Sequence, residues 1–299
     1  MASSPLVATL IANPSRPALT DTVLSAAARA LGHVAERTVL ASGIAADLVL
    51  GAQDDPVAVE TRLRSALADA PVDVIVQPVA TRRKRLFLAD MDSTMIGQEC
   101  IDELADYAGM KAHVSEITER AMRGEIAFEP ALRERVALLK DLPVAVVDEI
   151  IEKRITLTPG GRALVQTMRA NGAHACLVSG GFTLFTGPIG ERIGFDEHRS
   201  NRLVVRNERL AGEVEEPILG REAKRATLIE LRDRFGLQRH ETMAVGDGAN
   251  DLAMLGEAGL GIAFHAKPAV AAAAHARIEH GDLTALLYAQ GYRLEMFAA

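Results

Sequence analysis

The sequence predicts an α/β fold: a doubly wound parallel sheet with a helical cap insert, preceded by a small α+β domain of ferredoxin-like pattern. Three observations predict it. Short apolar runs at 86–89, 175–178, 243–245 and 261–264 alternate with amphipathic helical stretches, the pattern of a parallel sheet covered on both faces. Between the first two runs lies a long helix-rich segment, about 99–155. Before residue 81 the order changes to β-α-β-β-α-β, the split βαβ pattern.

In the first domain, residues 1–81, an apolar strand at 6–12 leads to a helix at 21–31 with Val23, Leu24, Ala27 and Leu31 on one face. Strands at 37–41 and 46–50, a helix at 57–70 and a strand at 72–79 complete the unit. It resembles the ACT-type domains and carries no catalytic constellation. The second domain, 82–299, begins at the basic run Arg82-Arg-Lys-Arg85, expected to be a solvated flank. The insert holds helices at 101–108, ended by Gly109, and at 128–140, ended near Pro143. Residues 201–214 read as a hairpin turning at 207–209, and 269–274 as a helix by composition.

The chemistry gathers at strand ends, where open α/β sheets bind ligands. The run 86–89 ends in Asp90-Met-Asp92-Ser-Thr94, and the run 243–245 in Gly246-Asp247-Gly248-Ala-Asn250-Asp251. Acids crowded at two strand ends are unfavourable without a positive charge between them, and a hard divalent cation held by oxygen ligands supplies one. The run 175–178 ends in Ser179-Gly180-Gly181, whose hydroxyl and backbone N–H groups suit phosphate oxygens. Lys224 lies early in an amphipathic helix, where the helix dipole gives a cation no reason to sit. Arg135 falls within the apolar stripe of Phe128, Leu132 and Leu139, which calls for a carboxylate partner or a side chain that snorkels to solvent. Glu99 shares a polar face with Asp102, Glu103 and Asp106.

These motifs, in this order, resemble the four motifs of the haloacid dehalogenase superfamily, from about Leu86 to about Tyr292. The resemblance implies a HAD-like Rossmannoid fold and a phosphatase that acts on O-phosphoserine, in the last step of serine biosynthesis. It implies Asp90 as the nucleophile that becomes an aspartyl-phosphate and Asp92 as general acid and base. Mg²⁺ is the implied cofactor. Its implied ligands are Asp90, Asp247, the Met91 carbonyl and, less clearly, Asp92, with Asp251 behind them. Ser179, Gly180, Lys224 and Asn250 are implied to handle phosphate, Arg135 the substrate carboxylate, Glu99 its ammonium, and Met122 and Phe128 to cover it. Transfer to an alcohol acceptor instead of water stays open, as do dimerisation and serine feedback for the first domain.

Composition narrows the remaining classes. A net charge of −7 argues against general attraction to nucleic acid. The two cysteines, Cys100 and Cys176, fit a reducing compartment, and the eight histidines show no metal-ligand spacing. No bilayer-spanning apolar stretch and no signal-peptide pattern are present, so a cytoplasmic location without membrane partners is expected. Gly246-Asp-Gly lacks the third glycine and distant acid of a dinucleotide site.

Overall fold

The computed structural model describes residues 4–52, 54–122 and 125–298, with Met122 described by its backbone alone. Its first part comprises β1 (Leu6–Ala12), α1 (Asp21–Leu31), β2 (Glu36–Ala41), β3 (Ala45–Val49), α2 (Pro56–Ala66) and β4 (Val72–Pro78). The four strands form an antiparallel sheet in the order β2-β3-β1-β4. Both helices start as their sequences dictate: Thr20 caps α1, and Asp55 caps α2 ahead of Pro56. Leu24, Ala27, Leu31, Val59 and Leu63 pack the helices on one face of this sheet. Ile11, Leu40, Ala41, Ala45 and Ile75 point the other way and join the core of the following part.

The polypeptide then builds β5 (Leu86–Ala89), the insert helices α3 (Cys100–Tyr107), α4 (Lys111–Met122), α5 (Phe128–Ala137) and α6 (Val146–Lys153), and α7 (Gly161–Ala170). Next come β6 (His174–Phe182), α8 (Thr183–Ile193), β7 (Glu197–Asn201), and the hairpin β8 (Leu203–Arg206) and β9 (Arg209–Val214). The chain ends with α9 (Arg221–Arg234), β10 (Thr242–Gly246), α10 (Leu252–Glu257), β11 (Leu260–Phe264), α11 (Pro268–Ala273), β12 (Ala276–Ile278) and α12 (Ala285–Ala289). Six parallel strands run in the order β12-β11-β10-β5-β6-β7, with helices on both faces.

Two strands were not anticipated. β7 reads Glu-His-Arg-Ser-Asn, a polar edge without an apolar run, and β12 has only three residues. The helices α4 and α6 were likewise not separately anticipated, although the insert is helical as expected. The basic run is not a free flank. Arg82 pairs with Asp47 at 2.6 Å, and the Arg83 guanidinium lies 3.4 Å above the Tyr292 ring. Lys84, buried, donates to the Thr81 and His240 carbonyls.

Strand register places the site. Ala89 of β5 pairs with Val245 on one side and Leu177 on the other. Asp90, Asp247 and Ser179 therefore leave the sheet within two residues of one line, at its carboxyl edge. The insert enters and leaves just beyond that edge. Gln98 accepts the Thr156 N–H at 2.9 Å, Gly97 N–H donates to the Thr156 carbonyl, and Ile96 bridges Leu157.

Candidate active site

Four segments converge. After β5 the chain turns through 91–95, and the Asp90 carboxylate accepts the Met91 N–H at 2.7 Å. The stripe Lys224, Thr227, Leu228 and Leu231 is the buried side of α9, so packing the helix drives Lys224 toward the strand ends. Its ammonium lies 2.8 Å from both Asp90 and Asp251. Asp247 accepts the Thr94 hydroxyl at 2.9 Å, and Asn250 reaches Asp90 at 3.4 Å. A Cβ on Gly246 would strike the Asp251 carboxyl, so the turn after β10 requires glycine there.

Asp90, Asp247 and Asp251 each offer an oxygen within 4.8 Å of the others. Three buried or half-buried carboxylates thus crowd together beside one ammonium, which pairs with Asp90 and Asp251. Burial and the charge of Asp251 push the Asp90 carboxyl well above its usual range, with Lys224 opposing them. Burial by itself would lower Lys224, but Asp251 and Asp90 outweigh it and hold its pKa above the ordinary value. An all-oxygen donor set with surplus negative charge fits a hard divalent cation. Asp251, expected behind the metal, stands within the trio.

Asp92 does not join it with its side chain. Its carboxylate is taken up on the other side of the turn, accepting the Cys100 N–H at 2.9 Å and the Ser179 hydroxyl at 3.3 Å. The Met91 carbonyl, also expected near the metal, accepts the Ile96 N–H within the turn. Burial raises the Asp92 carboxyl above its usual range against the pull of the Cys100 N–H. Ser179 is 1% exposed and accepts the Gly181 N–H at 2.9 Å.

The insert covers this edge. Phe128, at the start of α5, sits where a Cβ on Gly180 or Gly220 would be 3.4 Å from its ring. Arg135 bonds the Ala131 carbonyl at 3.2 Å and the Thr118 hydroxyl at 3.3 Å. The carboxylate partner that its stripe position demands is absent: among the described residues none lies within ion-pair distance of it. Burial lowers its pKa, and the nearby charges of Asp102 and Glu99 pull the other way. Glu99 accepts the Ser93 hydroxyl at 2.6 Å. Glu99 is exposed as a residue, yet desolvation and the Asp92 charge push its carboxyl up to about 7. The Met122 side chain lies outside the described residues. Thr94, Thr118 and Ser93, which hold Asp247, Arg135 and Glu99, were not singled out from sequence; single hydroxyls carry no spacing signal.

A parallel sheet with a helical insert after its first strand, and acids, a serine and a lysine at its carboxyl edge, define a phosphoryl-transfer hydrolase of one family. The family model described as haloacid dehalogenase-like hydrolase matches residues 87–256, and the chain belongs to that family. Within it, the chain is 48% identical over 208 residues to the phosphoserine phosphatase of Polaromonas sp., covering 68% of this chain and 88% of that one. Two crystal structures are similar over nearly the full length. A HAD family hydrolase from Salmonella enterica serovar Typhi has a TM-score of 0.85 at 30% identity, covering 95% of this chain and 97% of its own. A probable phosphoserine phosphatase from Vibrio cholerae, unliganded, has a TM-score of 0.77 at 30% identity, covering 98% and 88%. Among the described residues no helix is long and apolar enough to cross a membrane.

Proposed function

We propose that this site hydrolyses O-phosphoserine to serine and phosphate, as a Mg²⁺-dependent phosphomonoesterase working through Asp90. The observation that carries the proposal is the pairing of the sheet edge with the insert that covers it. A phosphate-handling floor of Asp90, Lys224 and Ser179 lies at the sheet edge that the insert covers, and the insert brings Arg135 and Glu99, which among the described residues have no carboxylate and no cation, respectively, within ion-pair distance. A substrate with phosphate, carboxylate and ammonium groups answers all three. The planar guanidinium of Arg135 suits bidentate carboxylate binding.

In the first step an Asp90 oxygen attacks phosphorus and the bond from phosphorus to the seryl oxygen breaks. Asp92 gives its proton to the departing oxygen, a role served by its raised pKa. In the second step water attacks the aspartyl-phosphate, Asp92 takes the proton back, and phosphate leaves with Asp90 restored. Lys224 and Ser179 hold the transferring oxygens throughout. The obstacle is charge: two unit charges 4 Å apart repel by about 4 kcal/mol at an effective dielectric near 20. Asp90, Asp247 and Asp251 would hold Mg²⁺, which would supply the positive charge that offsets this repulsion. The proposed compartment is the cytoplasm, in keeping with two buried, unpaired cysteines.

The test is phosphate release from O-phospho-L-serine with Mg²⁺ and with a chelator. Release should require the metal and compete with serine, the product. Equal rates on phosphate esters lacking carboxylate and amine would remove the assigned substrate.

A further inference from the structure

We infer that Ser93 is the positioning residue that sets this site's preference for substrates bearing an amino group, by holding Glu99; this rests on the reading that Glu99 meets the substrate ammonium. Ser93 has φ 53° and ψ 4°, in the left-handed region that residues with a Cβ avoid. Such backbone persists where the surroundings over-determine it, and it gathers at functional sites.

The conformation turns both donors of Ser93 toward the root of the insert. Its N–H donates to the Gln98 carbonyl at 3.3 Å, and its hydroxyl donates to Glu99 Oε1 at 2.6 Å. One residue along on each side, the Cys100 N–H donates to Asp92 Oδ1 at 2.9 Å. The turn carrying the general acid and the start of α3 therefore close on each other in register: 93 with 98 and 99, 92 with 100.

Glu99 is the N-cap residue of α3, yet its side chain caps nothing. Asp92 supplies the acceptor for the first helical N–H from outside the helix. Glu99 is thus not drawn back onto its own helix, and Ser93 occupies only one of its oxygens. Among the described residues nothing bonds the other oxygen, which leaves it for a ligand. A glutamate side chain loses rotamer freedom when it binds a cation, and a hydrogen bond formed beforehand removes part of that cost. Ser93 in this way links recognition of the amino group to the turn in which phosphoryl transfer takes place.

The experiment compares Ser93→Gly, Ser93→Asn and Glu99→Gln on two substrates, O-phosphoserine and its analogue with a hydroxyl in place of the amine. Glycine relieves the backbone and deletes the hydroxyl; asparagine tolerates the left-handed region and restores a donor. Ser93→Gly should raise KM for O-phosphoserine about tenfold, the scale of one hydrogen bond of about 1.4 kcal/mol, with kcat within twofold. KM for the hydroxyl analogue should not move, and Ser93→Asn should recover most of the loss. The inference is overturned if Glu99→Gln discriminates between the substrates while Ser93→Gly leaves KM unchanged or shifts both substrates alike. Failure of Glu99→Gln to discriminate would instead remove the role of Glu99 itself, and the role of Ser93 with it.

Discussion

Two buried aspartates, one in the first sheet and one at the end of a strand of the second, are held in opposite ways. Asp73 of β4 is surrounded by donors: Glu279, His280 and Gly281 give it backbone N–H groups at 2.7 to 3.2 Å. Asp90, beyond β5, faces two further carboxylates with one lysine between them. Burial is the leading cause of a raised pKa in both. Burial therefore does not separate them; the sign of what surrounds them does. Asp73 fastens the first sheet to the loop after β12 and is satisfied there. Asp90 stands among like charges, an arrangement that costs stability and that an incoming cation resolves.

Removing each charge should give opposite results. Asp90→Asn should lower kcat by roughly four orders of magnitude or more, while the thermal midpoint holds or rises because one crowding carboxylate is gone. Phosphate release and thermal melts measured together check this, and near-normal turnover would remove Asp90 as nucleophile. Arg135→Ala should lower kcat/KM for O-phosphoserine by about 10²- to 10³-fold, since a carboxylate would then enter a site with no partner for it. An aryl phosphate without a carboxylate should lose no more than about threefold; equal loss on both would make the arginine structural.

Asp73→Asn should do the reverse of Asp90→Asn: stability falls by about 2–3 kcal/mol, since an amide cannot accept this many N–H groups, and kcat stays within about twofold. Denaturant unfolding measures it, and a collapse of kcat in a folded variant would break the contrast between the two sheets. The smallest effect concerns pH. With its carboxyl at about 7, Glu99 is charged above that pH and neutral below it. KM for O-phosphoserine should therefore climb by up to about tenfold per unit as pH falls below 7. The amine-free analogue, which shares the titration of the phosphate group, should show no such extra rise.

The contrast also explains what the letters disclosed. Acids at the ends of apolar runs were legible because strand register and carboxylate chemistry both act locally, so Asp90, Asp247 and Asp251 could be found together. Lys224 was legible only through its order among the other motifs; its burial follows from the stripe it shares with Leu228 and Leu231. Asp73 was not legible, because its partners lie more than two hundred residues away. Nor was the orientation of Asp92, which depends on where α3 begins relative to the turn. β7 escaped notice because it pairs along one side only and its polar residues serve surface contacts, such as Arg199 with Glu230 at 2.6 Å. Ferredoxin-like topology was readable because each of its strands carries its own apolar run, and the strand order β2-β3-β1-β4 follows that pattern.

The stitching of Gln98 to Thr156 at the root of the insert has a consequence for how such a protein can change. Both ends of a segment of more than fifty residues are pinned at one spot beside the sheet, so loops between its helices can lengthen or shorten while the root stays beside the strand ends. Loop-closure entropy grows only slowly with length, which makes such alterations thermodynamically mild. A transplanted segment would have to match its host at those hydrogen bonds, at the hairpin, where the Asp141 N–H donates to the Leu210 carbonyl and the Leu210 N–H to the Leu142 carbonyl, and in the apolar core that Leu104, Leu132 and Ile150 share with the sheet.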